Sequence, residues 1–87
     1  STASLEQNMP NPFSQSTTIQ YTLPAKCSSA KMIVTDMAGK SLKQYTLSGT
    51  GRNKLQIDAN IFSSGTYQYA LYIHGKLSDS KKMIIIK

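Results

Sequence analysis

The chain has no tryptophan, one cysteine, four acidic residues and no aliphatic run longer than Met83–Ile86. Each shortage removes a class of protein. The lone Cys27 excludes an internal disulfide, the staple that many extracellular domains of this size carry. It lies in AKCSSAK, a loop-like stretch, and reads as a free thiol. A helical membrane span needs about 20 apolar residues, so no stable membrane insertion is expected. No secretory signal peptide is visible, and the opening STAS reads as a linker or as a cut made inside a longer protein.

Charged residues make up 16% of the 87, and Ser, Thr, Gln and Asn fill the balance. That mix favours turns and solvated strands over helices. The ten Lys and Arg leave a net charge of +6. A basic domain can meet nucleic acid, anionic lipid or a polyanionic glycan. The lysines are scattered and Arg52 stands alone, whereas a nucleic-acid footprint is a basic stripe with interleaved aromatics. No nucleic-acid partner is expected.

The chain also lacks a sustained 3.6-residue period, and alternation takes its place. In TTIQYTL, Ile19, Tyr21 and Leu23 share one face, and Pro24 ends the strand. AKMIVTD sets Met32 and Val34 against Ile33. In DMAGK, Asp36 followed three residues later by Gly39 fits a type I turn continued by a glycine bulge. Ser41–Leu47 resumes alternation through Leu42 and Tyr45 with one irregular step. LQID places Leu55 and Ile57 together. In ANIFSSG, Ile61 and Phe62 are expected to plug one end of the core. GTYQYALYI turns Tyr67, Tyr69, Leu71 and Ile73 one way. His74-Gly75 fits a two-residue hairpin, since both sites of a type I′ turn want positive φ. A last strand follows, from Lys76 or Lys81 to Lys87. Strands at this spacing predict an all-β sandwich of about seven mainly antiparallel strands.

Chemistry is sparse. Cys27 and His74 form the one conceivable nucleophile–base pair, and a loop and a hairpin tip explain them more simply. Glu6, Asp36, Asp58 and Asp79 are far apart in sequence. No His/Cys cluster has metal spacing, and no glycine opens a helix as a phosphate loop requires. No catalytic residue, metal or cofactor is expected.

Two stretches stand out. LEQNMPNPF is neither strand nor helix in pattern. Pro10 and Pro12 cannot donate to a sheet and bias the residues before them to extended geometry. Leu5–Phe13 is therefore expected to be a stiff strap outside the sheet, pinned by Leu5 and Phe13. It either closes one end of the core or holds residues 1–4 as a junction, or does both. In KKMIIIK, Met83 and Ile85 share one face, and Ile84 and Ile86 the other. A sandwich strand normally buries one face. The second is either covered by a loop or tail, or open to a partner, with Lys81, Lys82 and Lys87 guarding against aggregation.

LEQNMPNPF, STTIQYTLP, VTDMAGK, SSGTYQYAL and the closing KKMIIIK, in this order and spacing, resemble the C-terminal sorting domain of the type IX secretion system. The resemblance covers Leu5 to Lys87. It implies an immunoglobulin-like sandwich (residues 14–87) that is a non-catalytic export signal behind an N-terminal cargo domain. Its partners would be the outer-membrane type IX translocon and shuttle proteins. A sortase-like cysteine protease would cut at or before the strap, up to about Ser4. The cargo would pass through the periplasm and then be anchored at the cell surface or released. The residues it singles out are Gly39 and Lys40 of the turn, Gly65 and Tyr67 of the G-x-Y motif, and Gly75 of the hairpin. It adds Leu5, Pro10, Asn11, Pro12 and Phe13 of the strap. Lys82, Met83, Ile84, Ile85, Ile86 and Lys87 would be read by the translocon, by strand addition or face docking. Two readings stay open beside it. A structural module similar to the immunoglobulin-like part of flagellar hook-capping proteins shares the N-P-F start, but has a Trp-bearing turn where this chain has none. A glycan- or surface-binding sandwich would need aromatics around a groove.

Overall fold

Alternating burial organises the molecule strand by strand. The computed structural model describes residues 3–27 and 29–87, so Ser1 and Thr2 of the expected junction, and Ser28, lie outside the described residues. The strands are β1 (Ser4–Leu5), β2 (Ser16–Leu23), β3 (Ala30–Asp36), β4 (Ser41–Leu47), β5 (Gly51–Asp58), β6 (Gly65–Ile73) and β7 (Lys76–Ile85), with a 3-10 turn at Ala59–Ile61. They form two antiparallel sheets, ordered β1-β2-β5 and β4-β3-β6-β7. This is the immunoglobulin-like sandwich that the alternation and the resemblance indicate.

The inner faces interdigitate to form the core. Thr17, Ile19, Tyr21 and Leu23 of β2 and Ile57 of β5 come from one sheet. Met32, Val34, Tyr67, Tyr69, Leu71, Met83 and Ile85 come from the other. Burying each large apolar side chain is worth about 1.5–3 kcal/mol relative to leaving it exposed.

Both expected turns form. His74 and Gly75 have φ of 52° and 79°, and Ile73 pairs with Lys76, giving a two-residue hairpin of the primed type. At Asp36–Lys40, the Gly39 N–H donates to the Asp36 carbonyl at 3.1 Å. Asp36 Oδ1 accepts from the N–H groups of Ala38 and Lys40, each at 2.9 Å.

Four expectations need correction. The irregular step in β4 is a bulge: Val34 pairs with Lys43 but Thr35 with Ser41, so Leu42 has no partner. It sits on the surface, out of phase with Tyr45 and Leu47. Ile61 does not plug the core. Asp58 caps the 3-10 turn by accepting the Asn60 N–H, and the Ala59 N–H donates to the Gln15 carbonyl at 2.8 Å. Ala59 and Phe62 are thereby drawn inward, and Ile61 is left 55% exposed. The last strand starts at Lys76 and ends at Ile85, short of Ile86 and Lys87.

The fourth correction concerns the strap, which is not outside the sheets. Leu5 lies in β1, opposite Tyr21. Met9 bridges Thr18 antiparallel, and Phe13 bridges Ile85 in parallel. The segment thus runs down the edge of β2 and crosses, through two prolines in cis peptide bonds, to the edge of β7. Only Ser4–Leu5 is a strand, and the rest of the segment touches the two sheets through single bridges. The registers also fix its ends. Ser4 lies beside Thr22, at the end carrying the His74-Gly75 hairpin, whereas Ile85 lies beside Phe13 and Gly65 at the other end. The long dimension of the sandwich is 39 Å.

Candidate functional site

A polar residue in the inward phase of a strand needs a partner, and Thr17 is such a residue. Its hydroxyl donates to the Pro10 carbonyl at 2.8 Å and accepts from Asn8 Nδ2 at 3.0 Å. Asn8 and Thr17 are both buried. The Asn8 backbone N–H donates to Tyr69 Oη at 2.7 Å, and that phenol donates to the Glu6 carbonyl at 2.8 Å. Gln7 Nε2 reaches both Asn8 Oδ1 at 2.7 Å and the Lys82 carbonyl at 2.6 Å. A hydrogen-bonded knot thus ties the strap to β2, β6 and β7 from within. Such networks stabilise only when every member is paired. Among the described residues, no buried side-chain nitrogen or oxygen lacks a partner.

The knot has an electrostatic signature. Burial pushes the Tyr69 phenol up to about 12; the N–H of Asn8 holds it back somewhat, and the Asp79 carboxylate adds a smaller rise. At the upper end of the strap, Arg52 pairs with Glu6 at 3.1 Å and also donates to Gln20 Oε1. An ion pair this exposed contributes little.

At the lower end the strap completes the edge of β7. The Phe13 N–H donates to the Ile84 carbonyl, and the Ile86 N–H to the Phe13 carbonyl, both at 3.0 Å. Asn11 Oδ1 accepts the Ile84 N–H at 2.9 Å. Pro12 cannot donate a backbone hydrogen bond, so the Asn11 side chain and Phe13 supply these bonds. Phe13 itself is buried in the core. The terminal lysine is also held: the Lys87 N–H donates to Ser64 Oγ at 3.1 Å, and its ammonium reaches the Phe62 carbonyl.

These contacts show which parts of KKMIIIK are covered. The strap covers the edge of β7 and leaves its outer face open. Met83 and Ile85 are core, while Ile84 is 38% and Ile86 58% exposed. Strand addition at Ile84–Ile86 would have to displace Asn11 and Phe13. Docking on the outer face would not.

The remaining motif residues have structural roles. Tyr67 stands at the start of β6, and its hydroxyl donates to the Ser63 carbonyl at 2.7 Å. Its ring lies 5.2 Å from that of Phe62. This is the tyrosine-corner geometry of immunoglobulin-like domains, where a phenol fastens the loop that leads into its strand. Gly39 (φ 90°) and Gly75 (φ 79°) serve turns that a side chain would strain. Lys40 is exposed in its turn. The structure thus brings Asn11, Pro12 and Phe13 of the strap to the end of β7 at Ile84–Ile86, joins Gly65 and Tyr67 to that end, and leaves Leu5 and Gly75 toward the far one.

Cys27 and His74 converge on one group: Cys27 Sγ lies 3.5 Å from the Ser29 carbonyl, which also accepts the His74 backbone N–H at 2.9 Å. Among the described residues, no cluster of His, Cys, Asp and Glu has metal-binding geometry. A surface hollow of about 580 Å³ lies between Gln15, Ser16, Gln56, Asp58 and Asn60 and holds none of the expected site residues.

Asn8, Thr17 and Tyr69 escaped the sequence reading as a group. One signal was present. Extending the phase of Ile19, Tyr21 and Leu23 back two residues lands on a threonine, which must then find a polar partner inside. Residues 9–87 match the family model of the secretion system C-terminal sorting domain. No curated protein and no solved structure matches the chain.

Proposed function

The chain belongs to the secretion system C-terminal sorting domain family, a signal for type IX secretion that directs export toward the outer membrane, the cell surface or the medium. From that premise we propose that the outer face of β7 is the address. Ile84 and Ile86, with Lys82 beside them, dock on the outer-membrane translocon or its shuttle proteins. Met83 and Ile85 keep the strand in register by remaining in the core. The observation that carries this reading is the pair of exposed isoleucines on a strand whose own edge is already hydrogen-bonded. Such a strand offers apolar surface without offering a template for aggregation.

The strap sets the other half of the proposal. Because Ser4 and Leu5 are paired with β2, the cut by a sortase-like cysteine protease falls at or before β1, up to about Ser4. The cargo then lies at the end of the sandwich opposite Ile85, so the translocon can hold one end while the protease works at the other. In this reading residues 1–4 are the junction, 5–13 the strap and 14–87 the sandwich. The domain passes through the periplasm as a folded, non-catalytic substrate of the export and sorting enzymes.

The test is surface delivery of a signal-peptide-bearing fluorescent reporter fused to Ser1–Lys87, in a host with a working type IX system. Deleting Met83–Lys87 would remove two core residues, so the informative variant is Ile84→Ser/Ile86→Ser, with protease resistance reporting its fold. Surface delivery of the wild type and periplasmic retention of the folded variant are expected. Equal delivery of both would overturn the address. Retention of the wild type itself would favour a structural module.

A further inference from the structure

We propose that the outer edge of β4 is a second binding surface, one that takes an extended peptide carrying an apolar side chain beside a carboxylate. It lies on the flank opposite β7 and goes beyond the sorting reading. Three observations converge on it.

The first is an unpaired edge. β4 is the terminal strand of its sheet, and among the described residues no strand or strap pairs with its outer side. At β7 the equivalent groups of Ile84 and Ile86 are taken by Asn11 and Phe13. Unpaired edges are templates for strand addition, in which main-chain hydrogen bonds give affinity and neighbouring pockets give specificity.

The second is a pocket in the right place. Leu42, Lys43, Ile61, Phe62, Ser63 and Tyr67 enclose a groove of about 350 Å³ at the start of β4. The bulge turns Leu42 out to form one wall, and Ile61 forms another. Bulges commonly re-aim a side chain in this way. A peptide laid along Lys43–Leu47 presents alternate side chains toward this side of the sheet, so one of them can enter the groove.

The third is charge. Lys43 lines the groove, and its ammonium lies 5.8 Å from the centre of the Tyr45 ring. No carboxylate lines the groove. A second copy of this chain is a poor occupant, because SLKQYTL carries a lysine and no acid. The chain's own four acids are engaged elsewhere, Glu6 on Arg52 and Asp36, Asp58 and Asp79 on backbone N–H groups. A peptide with an acidic residue two positions from an apolar one satisfies edge, groove and lysine together.

The experiment is an amide NMR titration of Ser1–Lys87 with the capped peptide Thr-Phe-Thr-Glu-Thr-Val-Thr. The control peptide has Lys in place of Glu. Saturable shifts confined to Ser41–Leu47 and Ile61–Ser63 are expected. Lys43→Glu should weaken the Glu peptide about tenfold and restore binding of the Lys peptide. Ile61→Ser, at an exposed position, should weaken the Glu peptide without unfolding the domain. Three results would each overturn the proposal: no saturable shift up to ~1 mM peptide, shifts centred on Ile84–Ile86, or equal binding of the two peptides. Concentration-dependent shifts of β4 in the absence of peptide would overturn it in favour of self-association. None of these readouts depends on export, so the proposal and the sorting address fail separately.

Discussion

On one flank of the sandwich the chain itself runs between the sheets, from the edge of β2 to the edge of β7. On the other, β4 and β5 are the edge strands of their sheets, and among the described residues no segment pairs with their outer sides. The first flank is closed by a proline-interrupted segment that makes few ladder contacts. It is held instead by Leu5 and Phe13 in the core and by the knot of Asn8, Thr17 and Tyr69. The second flank carries exposed polar and basic side chains, Lys43, Gln44, Arg52 and Lys54 among them. A strap can therefore seal a sheet edge without being a strand, provided that buried side chains anchor it and single hydrogen bonds reach the edge where the ladder would have run. The same closure separates two kinds of surface. β7 exposes apolar side chains, whereas β4 exposes its backbone edge.

The largest expected contrast is in stability. Phe13→Ala should cost about 3–5 kcal/mol, since it empties a buried aromatic site. Leu42→Ala and Ile61→Ala, at exposed positions on the open flank, should each stay within about 0.5 kcal/mol. Urea midpoints at constant m-value measure both. Similar losses on the two flanks would break the comparison.

Next in size is the knot. Tyr69→Phe leaves the buried Asn8 N–H and the Glu6 carbonyl without their partner and should cost about 1–3 kcal/mol. The same residue gives a pH signature. Unfolded, the phenol ionises near its ordinary 10; folded, it resists until about 12. Its contribution is thus fully present below pH 10 and is lost as pH rises from 10 toward 12, on the order of 2–3 kcal/mol over that window. Tyr21 and Tyr45, both raised first by burial, act in the same direction. Tyr69→Phe should flatten the alkaline fall in the urea midpoint relative to the wild type. An unchanged slope would place the phenol outside the network.

Thr17→Val tests the knot from the β2 side. It keeps the shape and removes the hydroxyl shared by Asn8 and Pro10, so a loss of about 1–3 kcal/mol is expected. Its cycle with Tyr69→Phe should be non-additive, because both residues act through Asn8. The smallest effect belongs to Arg52→Ala, which removes an exposed ion pair and should cost under about 1 kcal/mol, less still in high salt.

Much of this was legible in the chain because period-two alternation and turn chemistry are local. The phase of Ile19, Tyr21 and Leu23, the His74-Gly75 hairpin and the Asp36 turn all followed from neighbours in sequence. The strap's route did not. Whether Leu5–Phe13 lies outside a sheet or joins two depends on Tyr69 and Lys82, more than sixty residues away. Ile61 and Ala59 exchanged roles for a similar reason: a bond from Ala59 to Gln15 decides which of them turns inward. The irregular step near Leu42 was legible, but not the side to which the bulge would turn that residue, because a bulge changes phase without changing composition. At the candidate site, KKMIIIK revealed two apolar faces but not which of them the core would take, nor that the strand's edge would be filled.

The central claim is that the strap forms the hydrogen-bonded edge of β7 and leaves its outer face free. Residue-resolved hydrogen exchange tests it directly. The amides of Ile84 and Ile86 should exchange far more slowly than the outward-directed amides of β4, and Asn11→Ala should speed Ile84 while sparing Ile86. Exchange of Ile84 and Ile86 in the wild type as fast as the open edge of β4 would mean that the edge of β7 is unoccupied, and the account of both flanks would fail.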